Sequence, residues 1–152
     1  MQLALFEPDI PQNAGALMRT AACLDVPLHI IEPAGFDASD RALRRTGLDY
    51  IAQAQLTRHS SFETFQNWRA AEGVRLILLT TTAKQPYTAF RFQAGDVLLL
   101  GRESAGAPPH VHAVADERLK VPVARDTRSL NVTIAAAMVL GEGLRQTGAW
   151  PS

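Results

Sequence analysis

Short runs of apolar residues recur along the chain, and each run is followed by polar or turn-forming residues. The runs predict five buried strands, at Leu3–Phe6, Leu28–Ile31, Arg75–Thr80, Val97–Leu100 and Arg118–Val123. Their apolar residues are largely continuous rather than alternating, which is typical of parallel strands that helices cover on both faces.

Helices are predicted between these strands from apolar spacing and from residues suited to helix caps. They are Ala14–Leu24 capped by Asn13, Arg41–Thr46 capped by Asp40, Phe62–Ala71 capped by Ser60 or Ser61, and Leu130–Gln146 opened by Ser129 or Asn131. The last helix is apolar nearly all round from Val132 to Leu140, so we expect it to be buried or to lie in a subunit interface. Alternating strands and helices without a linker predict one α/β domain over residues 1–152, with a largely parallel sheet flanked by helices.

Composition and charge narrow the range of functions. The chain has 152 residues, of which 15 are basic and 15 acidic, and this balance argues against a protein that coats nucleic acid by charge alone. Most of the basic residues are Arg, which suits phosphate contacts, although a GC-rich genome produces the same bias. Cys23 is the only cysteine, which excludes an intrachain disulfide and a multi-cysteine metal site. The apolar runs are too short to span a bilayer and the amino terminus lacks a signal-peptide pattern, so we expect a cytoplasmic protein with no membrane partner and no metal.

Three segments place polar or glycine residues at a strand end or a helix start, where open α/β sheets bind ligands. In the first, Asn13–Arg19, the helix start and Arg19 can hold a phosphate or ribose, or they form only a cap and a surface arginine. In the second, Gly101–Pro108, backbone N–H groups around Glu103 can meet a polar ligand, or the segment is a plain turn. In the third, Val121–Val132, a polar loop can wrap a small ligand against the Gly101 turn, and its Ser and Asn cap the long helix in either case.

Taken in order, these segments resemble the motifs of the SPOUT superfamily of RNA methyltransferases. The group they resemble most is that of the small tRNA 2′-O-ribose methyltransferases that modify cytidine or uridine at wobble position 34 (the TrmL type). Each motif is weak alone, but the three in this order cover essentially the whole chain. The matching motifs are Asn13-x-Gly15-x-x-x-Arg19, Gly101-x-Glu103-x-x-Gly106 and Ser129-Leu130-Asn131-Val132.

The resemblance implies a fold, a cofactor and a set of site residues. Members of the family have an α/β domain with a deep trefoil knot near the carboxyl terminus. They are homodimers that hold S-adenosyl-L-methionine in the knot, beside the interface. Carried over by position, the cofactor contacts are Leu79, Gly101, Val121 and Ser129, and the catalytic residues are Arg19, Asn13, Glu103 and Ser129.

The implied substrate is tRNA, and the implied reaction is attack of a ribose 2′-OH on the sulfonium methyl group. The family pattern often makes Arg19 the base, but Arg stays protonated in nearly all proteins, so it can instead bind phosphate and polarise the hydroxyl while another group or water takes the proton. Arg125 and Arg128 lie beside the expected pocket as substrate contacts. Arg44, in a basic cluster with Arg41 and Arg45, is either a further RNA contact or part of a solvated helix face.

Two other functions stay open at this point. One is an RNA-binding knot protein that has lost catalysis, although Arg19, Gly101, Glu103 and Ser129 all stand at the motif positions. The other is a flavodoxin-like nucleotide-binding oxidoreductase, which would need an early glycine-rich phosphate loop that the chain lacks.

Overall fold

Strands and helices alternate along most of the chain. The structure, a computed structural model, describes residues 1–45 and 54–152. Its strands are β1 (Gln2–Phe6), β2 (Leu28–Ile31), β3 (Leu56–His59), β4 (Leu76–Leu79), β5 (Gln85–Pro86), β6 (Val97–Leu100) and β7 (Glu117–Lys120). Its helices are α1 (Pro11–Cys23), α2 (Asp40–Arg45), α3 (Phe62–Glu72), α4 (Pro109–Val114) and α5 (Val132–Thr147), with a short 3-10 helix at Tyr87–Ala89.

Across the described ranges, seven strands form one sheet in the order β3-β2-β1-β6-β4-β7-β5. All of the neighbouring pairs are parallel. In the centre, Leu3 of β1 is in register with Leu28 of β2 on one side and with Leu98 of β6 on the other. The predicted parallel α/β architecture is therefore confirmed.

The two faces of the sheet belong to two different cores. Leu3 and Leu5 lie in one cluster with buried residues of α1 and α5, whereas Ala4 and Phe6 lie in another with Phe65 of α3. Because both faces are covered, every position of a central strand needs an apolar side chain. This is the physical origin of the continuous apolar runs in the sequence.

Two predicted helix caps are wrong, and two are confirmed. α1 begins at Pro11 after Ile10, so Asn13 lies inside its first turn, because proline is pre-set for the first helical position and has no N–H to satisfy. In α2, Asp40 is already helical and Ser39 Oγ accepts from the Ala42 N–H at 3.2 Å. The predicted caps of α3 and α5 are confirmed, because Ser61 Oγ accepts from Thr64 N–H at 3.1 Å and Asn131 Oδ1 from Thr133 N–H at 2.8 Å.

Three elements lack a clear signal in the sequence, and one strand ends early. β3 is an edge strand whose Thr57 and Arg58 are exposed, and β5 and α4 are short. β7 ends at Lys120 rather than at Val123, so the residues from Val121 onward form a loop. Thr46, the predicted end of the second helix, lies outside the described residues.

A buried ion pair anchors the start of β6. Asp96 is 2% exposed and accepts from Arg75 Nε at 2.8 Å and from Arg75 Nη2 at 2.7 Å. The same carboxylate accepts from the Gln93 N–H at 2.8 Å. The ion pair therefore fixes the segment between β4 and β6 at the amino ends of these two strands.

Two histidines are buried side by side on β2 and β3. His29 Nδ1 lies 2.9 Å from His59 Nε2, and His29 Nε2 lies 2.9 Å from Gln2 Oε1. The ring of Trp68 lies 4.2 Å from that of His29, centroid to centroid. His29 is therefore a packed, buried histidine of the sheet.

Candidate functional site

One cavity of about 830 Å³ opens where β4, β6 and β7 end and α5 begins. The family resemblance implied four cofactor contacts on three separate segments of the chain, and the structure brings all four into the lining of this cavity. These residues are Leu79, Gly101, Val121 and Ser129. The carboxyl edge of the sheet is therefore the candidate site, as expected for an open α/β fold.

The cavity has an apolar wall and a polar rim. Leu100, Val132 and Ala135 contribute to the wall, together with Leu79 and Val121. Among the residues that the structure describes, the charged members of the lining are one acid and three bases, namely Glu103, Arg102, Lys120 and Arg128. Such a lining suits a ligand that carries both an apolar ring and charged groups.

A second depression, of about 930 Å³, lies beside Arg41 and Arg58 and is more open to solvent. The Arg58 guanidinium donates from Nε and Nη2 to the carbonyl oxygen of Ala38, at 3.2 and 2.9 Å. The Arg58 guanidinium is therefore engaged in holding the loop that contains Ala38. The more enclosed cavity at the strand ends is the better candidate for a small-molecule site.

Gly101 allows the turn after β6 to close tightly. A Cβ on residue 101 would lie 2.6 Å from the backbone nitrogen of Ala107 and 2.7 Å from the carbonyl carbon of Gly106. The neck of the turn is closed by Arg102 N–H to Gly106 O at 3.2 Å and Gly106 N–H to Arg102 O at 2.7 Å. Only glycine fits at position 101 without moving backbone atoms.

Asp9, which sequence reasoning did not select, holds the tip of this turn. Its carboxylate accepts from the Glu103 N–H at 3.2 Å and from Ser104 Oγ. In return, the Asp9 N–H donates to Glu103 Oε2 at 3.4 Å. Asp9 and Glu103 are 94 residues apart, so no local pattern could have paired them.

These contacts shift the pKa values of both carboxyl groups. Hydrogen bonding with Glu103, and then with Ser104, lowers the pKa of Asp9 to about 2. Burial, and then hydrogen bonding with Asp9, raises the pKa of Glu103. Of the two neighbouring acids, Asp9 therefore carries the more permanent charge.

The helix starts of α1 and α5 meet at the cavity. Asn131 Nδ2 donates to Asn13 Oδ1 at 3.2 Å, and both residues line the cavity. Asn13, Glu103 and Ser129, three of the four predicted catalytic residues, are thus brought together. The fourth, Arg19, is exposed on α1 and is not among the described residues that line the cavity.

The predicted RNA contacts are spread more widely. Arg128 is exposed and lines the cavity, whereas Arg125 is exposed on the same loop but not in the lining. Arg44 belongs to α2, and its side chain lies outside the described part of the structure. Within residues 1–45 and 54–152, no helix is both long and apolar enough to cross a membrane, and no group of acidic, His or Cys side chains is arranged to hold a metal ion.

Comparison with known proteins decides the family. The model of the SpoU rRNA methylase family matches residues 1–141 of this chain. The chain belongs to the SpoU rRNA methylase family. The family resemblance predicted from the three motifs is thereby confirmed.

Several known proteins are similar to this chain over nearly its whole length. A protein of Beijerinckia indica named tRNA (cytidine(34)-2′-O)-methyltransferase is 58% identical over 147 residues, which cover 97% of this chain and 92% of the relative. A solved structure concerned with 2-OH methylation of C/U34 on tRNA is 41% identical, with a TM-score of 0.88 over 95% of this chain and 94% of the other. An AdoMet-bound rRNA methyltransferase of Sinorhizobium meliloti is 27% identical, with a TM-score of 0.82 over 95% of this chain and 55% of the other.

Proposed function

We propose that this chain is a tRNA 2′-O-methyltransferase that uses S-adenosylmethionine and acts on wobble nucleotide 34, a cytidine or a modified uridine, of tRNA-Leu type substrates. The observation that carries the proposal is the convergence of Leu79, Gly101, Val121 and Ser129 on one cavity. The family and the names of the full-length relatives give the same chemistry and the same nucleotide. No described feature favours an inactive RNA-binding protein or a flavodoxin-like oxidoreductase over this function.

The cavity suits the methyl donor in both size and chemistry. Its volume, about 830 Å³, is in the range of ligand pockets, and its apolar wall matches an adenine ring. The charged residues on the rim match the amino acid end of the molecule. When bound, S-adenosylmethionine supplies a methyl group activated by the sulfonium, so that the protein mainly has to align the reacting atoms.

We propose a role for each of the four predicted catalytic residues. Ser129 and Asn13 lie where α5 and α1 meet, and Glu103 lies on the opposite turn. We assign these three to orienting the ribose beside the methyl group. Arg19, which stays protonated, binds an RNA phosphate and polarises the 2′-OH, while another acceptor takes the proton.

The exposed arginines bind the tRNA backbone in this proposal. Arg128 lies on the cavity rim, Arg125 lies three residues earlier on the same loop, and Arg44 lies on α2. Guanidinium groups suit phosphate because they form two parallel hydrogen bonds with it. The proposed site of action in the cell is the cytoplasm, the compartment in which tRNA is used.

We further propose that residues 1–152 form one SPOUT domain with a trefoil knot. The sheet order supports the knot, because β7 lies between β4 and β5, although the chain runs from β4 to β5 first. The segment between β4 and β6 therefore passes around the position that β7 occupies later. The loop that leaves β7 at that point contributes Val121, Pro122, Val123, Thr127, Arg128 and Ser129 to the same cavity that Leu79 and Gly101 line.

A homodimer is the proposed assembly. Ile134 and Met138 lie four residues apart on α5, so they share a helix face, and they are 55% and 41% exposed. Leu130 and Trp150 are also exposed large apolar residues. A second copy packed on α5 would cover these side chains beside the cofactor cavity.

The experiment is methyl transfer from labelled S-adenosylmethionine to tRNA, with the modified nucleotide mapped by mass spectrometry. We expect a 2′-O-methyl group at position 34, and tRNA from a deletion strain should lack it. Methylation elsewhere, or tRNA binding without transfer, would contradict the proposal. An Arg19→Lys variant should lose turnover while it still binds the cofactor, and Arg91→Lys, a change at an exposed arginine, serves as the matched control.

A further inference from the structure

The tip of the turn after β6 depends on Asp9 for its position. The neck of the turn is closed by the two backbone bonds between Arg102 and Gly106. Beyond the neck, the hydrogen bonds described for Glu103 and Ser104 connect them to Asp9. If Asp9 loses its carboxylate, the bonds to the Glu103 N–H and to Ser104 Oγ are lost, and the tip keeps only the 3.4 Å bond from the Asp9 N–H to Glu103 Oε2 among the bonds described for it.

Asp9 itself is held rigidly. Its side chain is 13% exposed, and the neighbouring Pro8 carbonyl accepts from the Gly35 N–H at 2.8 Å. A Cβ on Gly35 would lie 3.0 Å from the Cβ of Asp9, so the two backbones are in close contact. The backbone at Asp9 is therefore held in place, and the more weakly held tip is hydrogen-bonded to it.

The charges around Glu103 are unevenly placed. Asp9 is hydrogen-bonded to Glu103. The guanidinium of Arg102 is directed to Asp9 and not to Glu103, with Nε 3.8 Å from Asp9 Oδ2. Oε2 of Glu7 lies 3.9 Å from Nη1 of the same guanidinium. Lys120 and Arg128 are the other charged residues of the lining within the described ranges. Asp9 is thus the charge in direct contact with Glu103, and it favours the protonated form of Glu103.

We propose that Asp9 is a positioning residue for methyl transfer, which holds the Glu103–Ser104 tip against the cavity and keeps a negative charge beside the Glu103 carboxyl group. This inference rests on the proposed function, since it assigns Asp9 a role in that same reaction. Asp9 acts through Glu103 and does not itself line the cavity. Its loss should therefore affect turnover more than the affinity for tRNA.

The test compares Asp9→Asn and Asp9→Ala with the wild-type protein. We expect kcat to fall by about 10- to 100-fold in both variants, because small displacements of catalytic groups have effects of this size, with a smaller change in KM for tRNA. A second measurement is the ¹³C NMR titration of the Glu103 carboxyl group. In Asp9→Asn its midpoint should move to lower pH, because the neighbouring charge is gone. A role of Asp9 in overall folding stability alone would leave this titration of the folded protein in place.

The matched control is Asp25→Asn. Asp25 also accepts a side-chain hydrogen bond, from Gln55 Nε2 at 2.8 Å, and it lies at the end of α1 away from the cavity. We expect its kcat and the Glu103 titration to match the wild type. Should Asp9→Ala fail to fold, Ser104→Ala, which removes one of the tip's bonds to Asp9, replaces it and should also lower kcat.

The outcomes separate the two proposals. If Asp9→Asn retains kcat within about twofold, or leaves the Glu103 titration unchanged, the role of Asp9 is refuted. If the wild-type protein binds S-adenosylmethionine but methylates no tRNA, the proposed function fails instead. The Glu103 titration then decides alone whether Asp9 controls the tip, since it needs no substrate.

Discussion

Acidification should destabilise this fold through the buried histidine pair. His29 and His59 are 3% and 5% exposed, and burial lowers the pKa of His29 to about 4, with a further contribution from His59. Gln2 Nε2 donates to Gly95 O at 3.4 Å, which orients the amide so that its oxygen accepts from His29 Nε2–H. Nδ1 of neutral His29 is then unprotonated and accepts from the Nε2–H of His59. This arrangement fits two uncharged rings.

The sign and the size follow from the difference between the folded and unfolded proteins. In the unfolded chain His29 takes up its proton near its ordinary pKa of about 6.5, whereas in the fold it stays neutral until about pH 4. The unfolded state therefore binds more protons over this range, and stability is lost as the pH falls from 6.5 toward 4. Between pH 7 and pH 5, His29 alone should cost about 2 kcal/mol of the free energy of unfolding.

Urea unfolding at pH 7, 6 and 5, at one protein concentration, measures this loss. The His29→Gln variant keeps an acceptor for His59 but cannot titrate, so its loss between pH 7 and pH 5 should be smaller by about 2 kcal/mol. His110→Gln, at an exposed histidine, is the control and should retain the wild-type dependence. Equal losses in the wild type and in His29→Gln would refute the reasoning.

Three further changes test the site and the scaffold. Gly101→Ala should weaken S-adenosylmethionine binding at least tenfold in calorimetry, since its Cβ would lie 2.6 Å from Ala107 N, and unchanged affinity would contradict the proposed turn geometry. Asp96→Asn should lower the free energy of unfolding by about 3 kcal/mol in urea, because it leaves Arg75 without its buried counter-charge, and a loss under about 1 kcal/mol would show that the pair is dispensable. Ser61→Ala should lower the free energy of unfolding by about 1 kcal/mol in the same assay through loss of the α3 cap, and an unchanged value would show that Ser61 is not the residue that caps α3.

The central strands could be predicted because burial on both faces leaves a direct trace in the sequence. Val97–Leu100 and Leu28–Ile31 were predicted with their observed bounds. β3 could not be, because an edge strand has solvent-facing positions such as Thr57 and Arg58 and no continuous apolar run. The cap of α1 was misplaced because Asn13 and Pro11 both favour a helix start, and proline prevailed.

The site could be predicted in part. Gly101 and Ser129 were recognised as motif residues, and the structure brings them to one cavity. Asp9 was missed, because its role arises from hydrogen bonds to residues 94 and 95 positions away, and such contacts leave no periodic pattern. The part that Arg19 plays depends on the bound RNA, so it stays a prediction.

The central position of β1 has a consequence for biosynthesis. β1 is synthesised well before β6, yet one of its two edges is filled by β6, whose Leu98 pairs with Leu3. Until residue 100 has been made, the nascent β1–β2–β3 half exposes a bare, apolar strand edge, which is a surface on which other chains can aggregate. A translational pause in the segment before β6 should thus lower the yield of native protein, and a chaperone that covers the β1 edge should restore it.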